Sequence, residues 1–252
     1  MNIIMKIVPI FAIVSSVIPT AAFAYQEANF NGPSPNSLAP GTSVFSIAHG
    51  FETHIVEGNT LVSDLDQKKF GLSGANIEIT GAYIIDNHID IHVTGGLNAP
   101  EITVGGAYTL QLKQLHPFLG TDAVIQRDDN QYQNSFFSWA GAGTNLFEKW
   151  HVVPAASLGY DSYNKNLGAS ISVALPFEDN AFVAEVIPHF TNEPLNFLLQ
   201  NGPAWNFGYR HSTFGHKFFL LIANSSAVNY RQAMLGSANS DLHLAFRITR
   251  EY

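Results

Sequence analysis

Apolar and polar residues alternate along most of this chain, in segments of about ten residues separated by clusters of turn-forming residues. Twelve such segments are legible: 42–51, 74–85, 89–96, 100–112, 118–126, 135–146, 150–160, 166–176, 182–190, 203–211, 215–224 and 241–252. Ile77, Ile79, Tyr83 and Ile85 share one face of the second segment, with Asn76, Glu78 and Thr80 on the other. In the fourth, Ile102, Val104, Tyr108, Leu110 and Leu112 oppose Thr103, Gly105 and Thr109. In the eighth, Leu167, Ala169, Ile171, Val173 and Leu175 oppose Ser170 and Ser172. The last segment sets Leu242, Leu244, Phe246, Ile248 and Tyr252 against His243, Arg247 and Thr249. A period of two with unlike faces is the signature of a β-strand between two different surroundings. The sixth and eleventh segments are ambiguous, since Phe218–Ala223 is apolar on both faces. No stretch of useful length carries helical periodicity.

The connectors alternate in kind. Asp86–His88, Lys113–Pro117, Phe147–Lys149, Phe177–Ala181 and Ser212–Phe214 are short. Glu52–Ser73, Arg127–Asn134, Asp161–Lys165, Thr191–Gly202 and Ser225–Ser240 are polar and mostly longer, Leu97–Ala99 being the brief exception. Short turns on one rim and longer loops on the other are the pattern of a transmembrane barrel. An even strand count places both termini on the short-turn, periplasmic rim. Aromatic residues near strand ends suit the headgroup layer. Phe118, Phe147, Trp150, Phe177, Phe182 and Tyr252 are expected in the inner girdle, and Phe51, Phe136, Tyr160, Phe190 and Trp205 in the outer one.

The alternation begins only after an address and a lead-in. Met1–Ala24 carries Lys6, an apolar run over 7–17 and the small-x-small triplet Ala22-Phe23-Ala24, which reads as a secretory signal cleaved after Ala24. An uncleaved anchor is the alternative, disfavoured by Pro9, Pro19 and the good cleavage site. Residues 25–41 hold Pro33, Pro35 and Pro40 and read as an unstructured periplasmic lead-in to a barrel over 42–252.

Composition narrows the class further. Charged residues are only 13% of the chain, there is no cysteine, and the formal net charge is −8. The chain is too apolar for disorder and too acidic for a nucleic-acid binder, and it lacks the thiols of a disulfide scaffold. Most acids fall in connectors: Glu52, Glu57, Asp64, Asp66, Asp128, Asp129, Asp161 and Glu193 on one rim, Asp86, Glu148, Glu178 and Asp179 on the other. A charge on a lipid-facing midplane position costs about 2–4 kcal/mol, so strand bodies poor in charge fit a lipid-facing wall. Arg250 shares the outward ladder of the last segment, one step from the terminal pair, where it can snorkel. The expected fold is an all-β antiparallel transmembrane barrel of twelve strands, with ten or fourteen as the adjacent counts. A soluble periplasmic barrel or sandwich is the competing fold. It leaves unexplained why one face is bulky and the other small and polar, and why an apolar ladder (Phe246, Ile248, Tyr252) ends in a C-terminal aromatic, the pattern of an assembly signal.

Several short stretches carry a family resemblance. They are Ala48-His49-Gly50-Phe51, then Phe70-Gly71-Leu72 followed by Ala75-Asn76-Ile77, then Gly215-His216-Lys217-Phe218 and Ala223-Asn224, and finally Leu244-Ala245-Phe246-Arg247-Ile248 to Arg250-Glu251-Tyr252. Together they resemble a bacterial family of predicted outer-membrane β-barrels catalogued only as a domain of unknown function. The resemblance is strongest over 44–85 and 210–252. The family pattern has Arg where Gly50 stands and Gly where Ala245 stands. What it implies is location and architecture, without an activity.

Candidate chemistry is sparse. His88-x-Asp90-x-His92 lines one strand face, beside Glu78 and Glu101. Such ligands at i, i+2 suit a divalent metal, but a hydrated polar wall uses the same residues and is the favoured reading. Gly141-Ala142-Gly143 is not a phosphate loop, no Gly-x-Ser-x-Gly elbow exists, and nothing marks Ser212 and His216 as a hydrolytic pair. The charges on the inward faces are more telling. Glu78, Asp90 and Glu101 come from the second to fourth segments, Arg210, Lys217 and Arg247 from the tenth to twelfth. In a closed barrel they form acidic and basic wall sectors, the kind of transverse arrangement pores use for selectivity. Leu195, Phe197, Leu198 and Leu199 give one outer-rim loop an apolar cluster suited to plugging the lumen or to packing on its neighbours. The expectation is a small-solute pore or uptake channel without a cofactor or catalytic residues. A non-conducting structural or ligand-binding barrel is the alternative, and an outer-membrane lipid hydrolase a distant third. Expected partners are outer-membrane lipid, lipopolysaccharide and the barrel assembly machinery, with no nucleic acid.

Overall fold

The computed structural model describes residues 30–35, 38–57, 60–61, 75–97, 101–128, 131–144, 152–191, 202–237 and 242–252. The expected leader and its cleavage site, and the loop bearing Leu195, Phe197, Leu198 and Leu199, lie outside the described residues. Twelve long strands are formed: β1 Ser43–Glu57, β2 Ala75–Ile84, β3 Ile89–Gly96, β4 Glu101–Thr109, β5 Leu115–Asp128, β6 Gln131–Thr144, β7 Val153–Asp161, β8 Asn166–Phe177, β9 Asn180–Ile187, β10 Ala204–Thr213, β11 His216–Ala223 and β12 Leu242–Glu251. Each pairs antiparallel with the next, and β12 pairs with β1, so the sheet closes on itself and has no free edge. Two short strands extend the ladders: Thr60–Leu61 on β1, and His189–Thr191 on β8 beyond a break at Pro188. The closing register sets Val44 opposite Glu251 and Ile47 opposite Ile248.

All twelve expected segments are strands, and their two faces separate cleanly. The outward face carries Ile91, Val104, Leu119, Leu158, Ile171, Phe207 and Leu220, each about half exposed or more. The inward face carries Asp161, Ser170, Ser172, Glu185 and Asn206, all nearly inaccessible. Polar groups inside and bulky apolar groups outside invert the distribution of a water-soluble protein. Phe177 and Phe182 at the short-turn rim pack against each other, tilted, with centroids 5.4 Å apart, and Phe136 and Tyr160 do so near the other rim at 6.0 Å. Arg250 points outward over the Tyr252 ring at 4.9 Å.

Four expectations need correction. The polar stretches Glu52–Ser73 and Arg127–Asn134 are not wholly loop: β1 runs on to Glu57, and Asp128 pairs with Gln131 in the β5–β6 ladder. Strand ends that project beyond the apolar band are polar, so hydropathy alone reads them as loop. Phe118 is not a girdle residue. It faces inward, 3% exposed, because the outward residues of β5 are Leu119, Ala123 and Ile125. Its ring has room because Gly141, on the neighbouring strand, has no Cβ, which would lie 2.7 Å from the ring. Residues 30–35 are not an unstructured lead-in: Phe30 lies inside the barrel against Phe219, with centroids 6.2 Å apart, among Val153, Ala174, Val183 and Leu221. Finally, Ser225–Ser240 is not a loop standing on the rim. Its described part, to Ser237, turns into the barrel and forms a one-turn helix, α1, at Tyr230–Ala233.

Candidate functional site: the barrel lumen

Twelve strands spaced about 4.8 Å apart and tilted by about 40° hold the backbone about 12 Å from the barrel axis. Wall side chains alone do not fill such a tube, and two chain segments enter it from opposite rims.

The first is the loop after β11, which occupies the half of the lumen away from the termini. Asn229 caps α1, its side-chain oxygen accepting from the Gln232 amide at 2.8 Å. Met234 and Val228 are fully buried, and Tyr230 nearly so. Tyr230 stands edge-on to Phe137 at 5.7 Å, and its hydroxyl reaches the carbonyls of Gly168 and Ser157 at 3.2 and 3.4 Å. Burial raises the pKa of this loop hydroxyl above its ordinary value, so it remains a neutral donor. The wall is cut to receive these side chains. Gly159 and Gly168 face each other across β7 and β8, and a Cβ on either would lie within 3 Å of Tyr230 or Met234. Polar contacts fasten the rest: the Asn166 amide donates to the Met234 carbonyl at 2.7 Å, Asn76 to Gln232 at 2.6 Å, and Arg247 to the Val228 carbonyl at 2.9 Å.

The second is the N-terminal segment, anchored on Glu185. This carboxylate, 1% exposed, accepts from the backbone amides of Asn31 and Gly32 at 2.9 and 2.8 Å, and from Ser170 and Asn206 at 2.9 and 2.8 Å. Four donors around one buried carboxylate offset its desolvation. The Arg247 guanidinium lies over the Phe30 ring at 4.7 Å.

Each of the six charges expected in the lumen sits on the inner wall. Glu78, on β2, accepts from the Asn229 side chain at 2.5 Å. Asp90, on β3, lies 3.3 Å from His92 Nδ1, whose Nε2 is 2.8 Å from Asp122 on β5. Glu101, on β4, pairs with Arg231 of the inward loop. Across the barrel, Arg210 on β10 is 6% exposed, Lys217 on β11 pairs with Glu251 at 2.9 Å, and Arg247 on β12 makes the contacts given above. The acidic and basic groups therefore occupy different wall sectors with β1 between them on one side. Sequence reasoning missed three members. Asp161 was placed on the rim, yet it is fully buried, 3.2 Å from Arg231 Nε. Asp122 shares its strand face with Phe118, which the girdle expectation turns towards lipid. Arg231 lies in the loop, where no strand periodicity speaks. His88 does not join His92, because its ring turns to the Thr109 carbonyl at the short-turn rim, 2.9 Å away. His216 lies outward, 3.1 Å from Arg250, away from any lumen group.

Between the two inserted segments and the wall of β1–β3 and β12, a cavity of about 330 Å³ remains on the side of the termini, reached by Ser46, Thr80, Asp90, His92, Arg247 and Thr249. A smaller one of about 130 Å³ lies between the inward loop and the acidic wall.

A closed, twelve-stranded antiparallel barrel with an apolar exterior and a charged interior defines the chain as porin-like in architecture. Among solved structures, the KdgM porin aligns over 83% of this chain and 99% of its own, with a TM-score of 0.56 and 8% identity. The NanC porin aligns over 83% of this chain and 98% of its own, with a TM-score of 0.53 and 8% identity. At such identity the likeness is one of fold. No family profile matches the sequence, and no curated protein matches it.

Proposed function

We propose that this chain is a bacterial outer-membrane barrel, exported on a signal cleaved after Ala24, that works as a small-solute pore narrowed from the inside by the 225–237 loop. The observation that carries the reading is the inside-out wall: an exterior dominated by exposed bulky apolar residues around a lumen lined by acidic and basic sectors and holding cavities. The fold shared with the KdgM and NanC porins supports it. In this reading the Phe246, Ile248 and Tyr252 ladder addresses the chain to the barrel assembly machinery, and lipid and lipopolysaccharide surround it.

The test is a planar-bilayer recording of the purified mature protein. Channels are expected, with ion selectivity that changes when Arg210→Ala and Arg247→Ala remove two of the three charges of the basic sector. Absence of conductance refutes the pore, and unchanged selectivity in both folded variants refutes the part played by the basic sector. Cell fractionation tests the location: the protein should sediment with outer membranes and run as a heat-modifiable band, and a freely soluble periplasmic product refutes the assignment.

One observation favours the second reading, a non-conducting ligand-binding barrel. The inward loop and the 30–35 segment together occupy much of the lumen. Ligand binding without conductance in the same preparation would select it.

A further inference from the structure

The smaller cavity differs in chemistry from the rest of the lumen. Carboxylates of Glu78, Glu101 and Asp122 meet the rings of Phe137, Trp139 and Tyr230 around a space of about 130 Å³. Negative charge and aromatic faces are the two features that recognise an organic cation, the first by ion pairing and the second by cation–π attraction. Asn31 also lines the space, and its buried side-chain oxygen, an acceptor, makes no hydrogen bond. The cavity therefore presents acceptors and π-faces to an occupant that must supply donors.

The charge balance of this wall points the same way. Glu78, Asp90, Glu101, Asp122 and Asp161 all project from β2 to β7 into the lumen, and Asp161 is completely buried. Among the described residues, Arg231, Arg247 and His92 are basic groups that meet them. Arg247 is also turned to the Val228 carbonyl and the Phe30 ring, and His92 is held between Asp90 and Asp122. Buried charges are ordinarily matched by opposite charge, and among the described residues five carboxylates of this wall face three basic groups. One cation already shows what the wall accepts. The Arg231 guanidinium contacts Glu101, Gln126 and Asp161 with Nη1, Nη2 and Nε respectively, and its side chain forms one boundary of the cavity.

We infer that this cavity is a binding site for the cationic head of a small organic solute, a guanidinium or primary ammonium group, and that Arg231 is a built-in occupant of the adjoining position. This deepens the pore reading by naming the class of solute that the outer half of the lumen selects. Glu78 and Asp122 supply the charge, Trp139 and Phe137 the faces, and the inward loop closes the site. Because Arg231 sits beside the cavity on the same carboxylates, it competes with part of any larger cationic solute, and displacing it loosens the hold of the loop.

The experiment uses the whole mature barrel in a non-ionic detergent, with methylguanidinium chloride as the probe and sodium acetate and glucose as controls. Calorimetric titration and tryptophan fluorescence, to which Trp139 contributes beside Trp150 and Trp205, provide the readout. Saturable binding of methylguanidinium but of neither control is expected. Glu78→Gln and Asp122→Asn should each weaken it at least tenfold, and Arg231→Gln should strengthen it or add a second equivalent. Each variant is scored only when it runs as a heat-modifiable band, and either of the two carboxylate variants suffices. No saturable binding by the parent and by the Arg231→Gln variant overturns the proposal, as does equal binding of acetate. Undiminished binding in a folded carboxylate variant also overturns it. Bilayer recordings on the same preparation separate the two claims. Conductance without probe binding removes the site and leaves the pore, whereas probe binding without conductance supports the site and refutes the pore.

Discussion

The fit between the inward loop and its wall can be broken by adding two methyl groups. Alanine at Gly159 would place its Cβ 2.7 Å from Tyr230 Cε1 and 3.0 Å from Met234 Sδ, and alanine at Gly168 would place its Cβ 2.4 Å from Met234 Cγ. Met234 can shift its thioether, but the Tyr230 ring is backed by Phe137, so the Gly159→Ala,Gly168→Ala variant overpacks the site. Overpacking of this kind costs about 1–3 kcal/mol. At about 1.4 kcal/mol per tenfold, the ratio of docked to undocked loop falls by about 5- to 150-fold. The two changes share Met234, so their effects should not simply add. The loop should absorb the strain rather than the wall, because β7 and β8 are held by backbone ladders on both sides while the loop is held by side-chain contacts and one backbone bridge, Gly202–Ser237. The assay is single-channel recording in a planar bilayer, comparing the time spent at a high-conductance level. The variant should spend several-fold more time there than the parent. A correctly folded, heat-modifiable variant with the parent's conductance would show that the loop does not control the lumen.

Three further outcomes are expected. Ile171→Arg puts a charge at one of the most exposed apolar positions of β8, so folding into lipid vesicles should lose about 2–4 kcal/mol, read as a lower urea midpoint, while equal stability would argue against a lipid-facing wall. Glu185→Ala removes the acceptor of four hydrogen bonds, charge-assisted ones being worth about 1.5–3 kcal/mol each, and should release the N-terminal segment. A cysteine introduced at Asn31 reports this by maleimide labelling, which should be slow in the parent background and fast with Glu185→Ala; equal rates would refute the anchor. Tyr252→Ala removes the terminal aromatic of the outward ladder and should reduce the amount of barrel recovered from outer membranes several-fold, whereas undiminished recovery would separate that residue from assembly.

What was legible in the sequence, and what was not, divides along a physical line. Alternation follows from the pleat, which sends successive side chains to opposite faces, so any strand between unlike surroundings writes its facing into the sequence. That is why Ile77 and Ile79 or Leu167 and Ile171 could be assigned outward, and Glu78, Asp90 and Arg247 inward, from residue types alone. The rule fails where an inward residue is itself bulky and apolar. Phe118 faces the lumen because Gly141 makes room on the next strand, and no local pattern records a neighbour twenty-odd residues away. The charge at Asp161 was visible but its position was not, since a strand's last polar residue and a loop's first look alike.

The filling of the barrel had still less of a signature. The 225–237 loop is polar enough to read as a rim loop, and 30–35 is rich enough in proline and glycine to read as a tether. Both enter the lumen because of groups spread around the wall: the Gly159–Gly168 notch, the Glu101 and Asp161 carboxylates that receive Arg231, and the Glu185 carboxylate that receives the Asn31 and Gly32 amides. The sequence by itself therefore determined the wall, its strand count and which side of it meets which surroundings, because those depend on nearest neighbours along the chain. Only the tertiary structure decided what the wall encloses, because most of the contacts that fill it join residues about 60 to 155 positions apart.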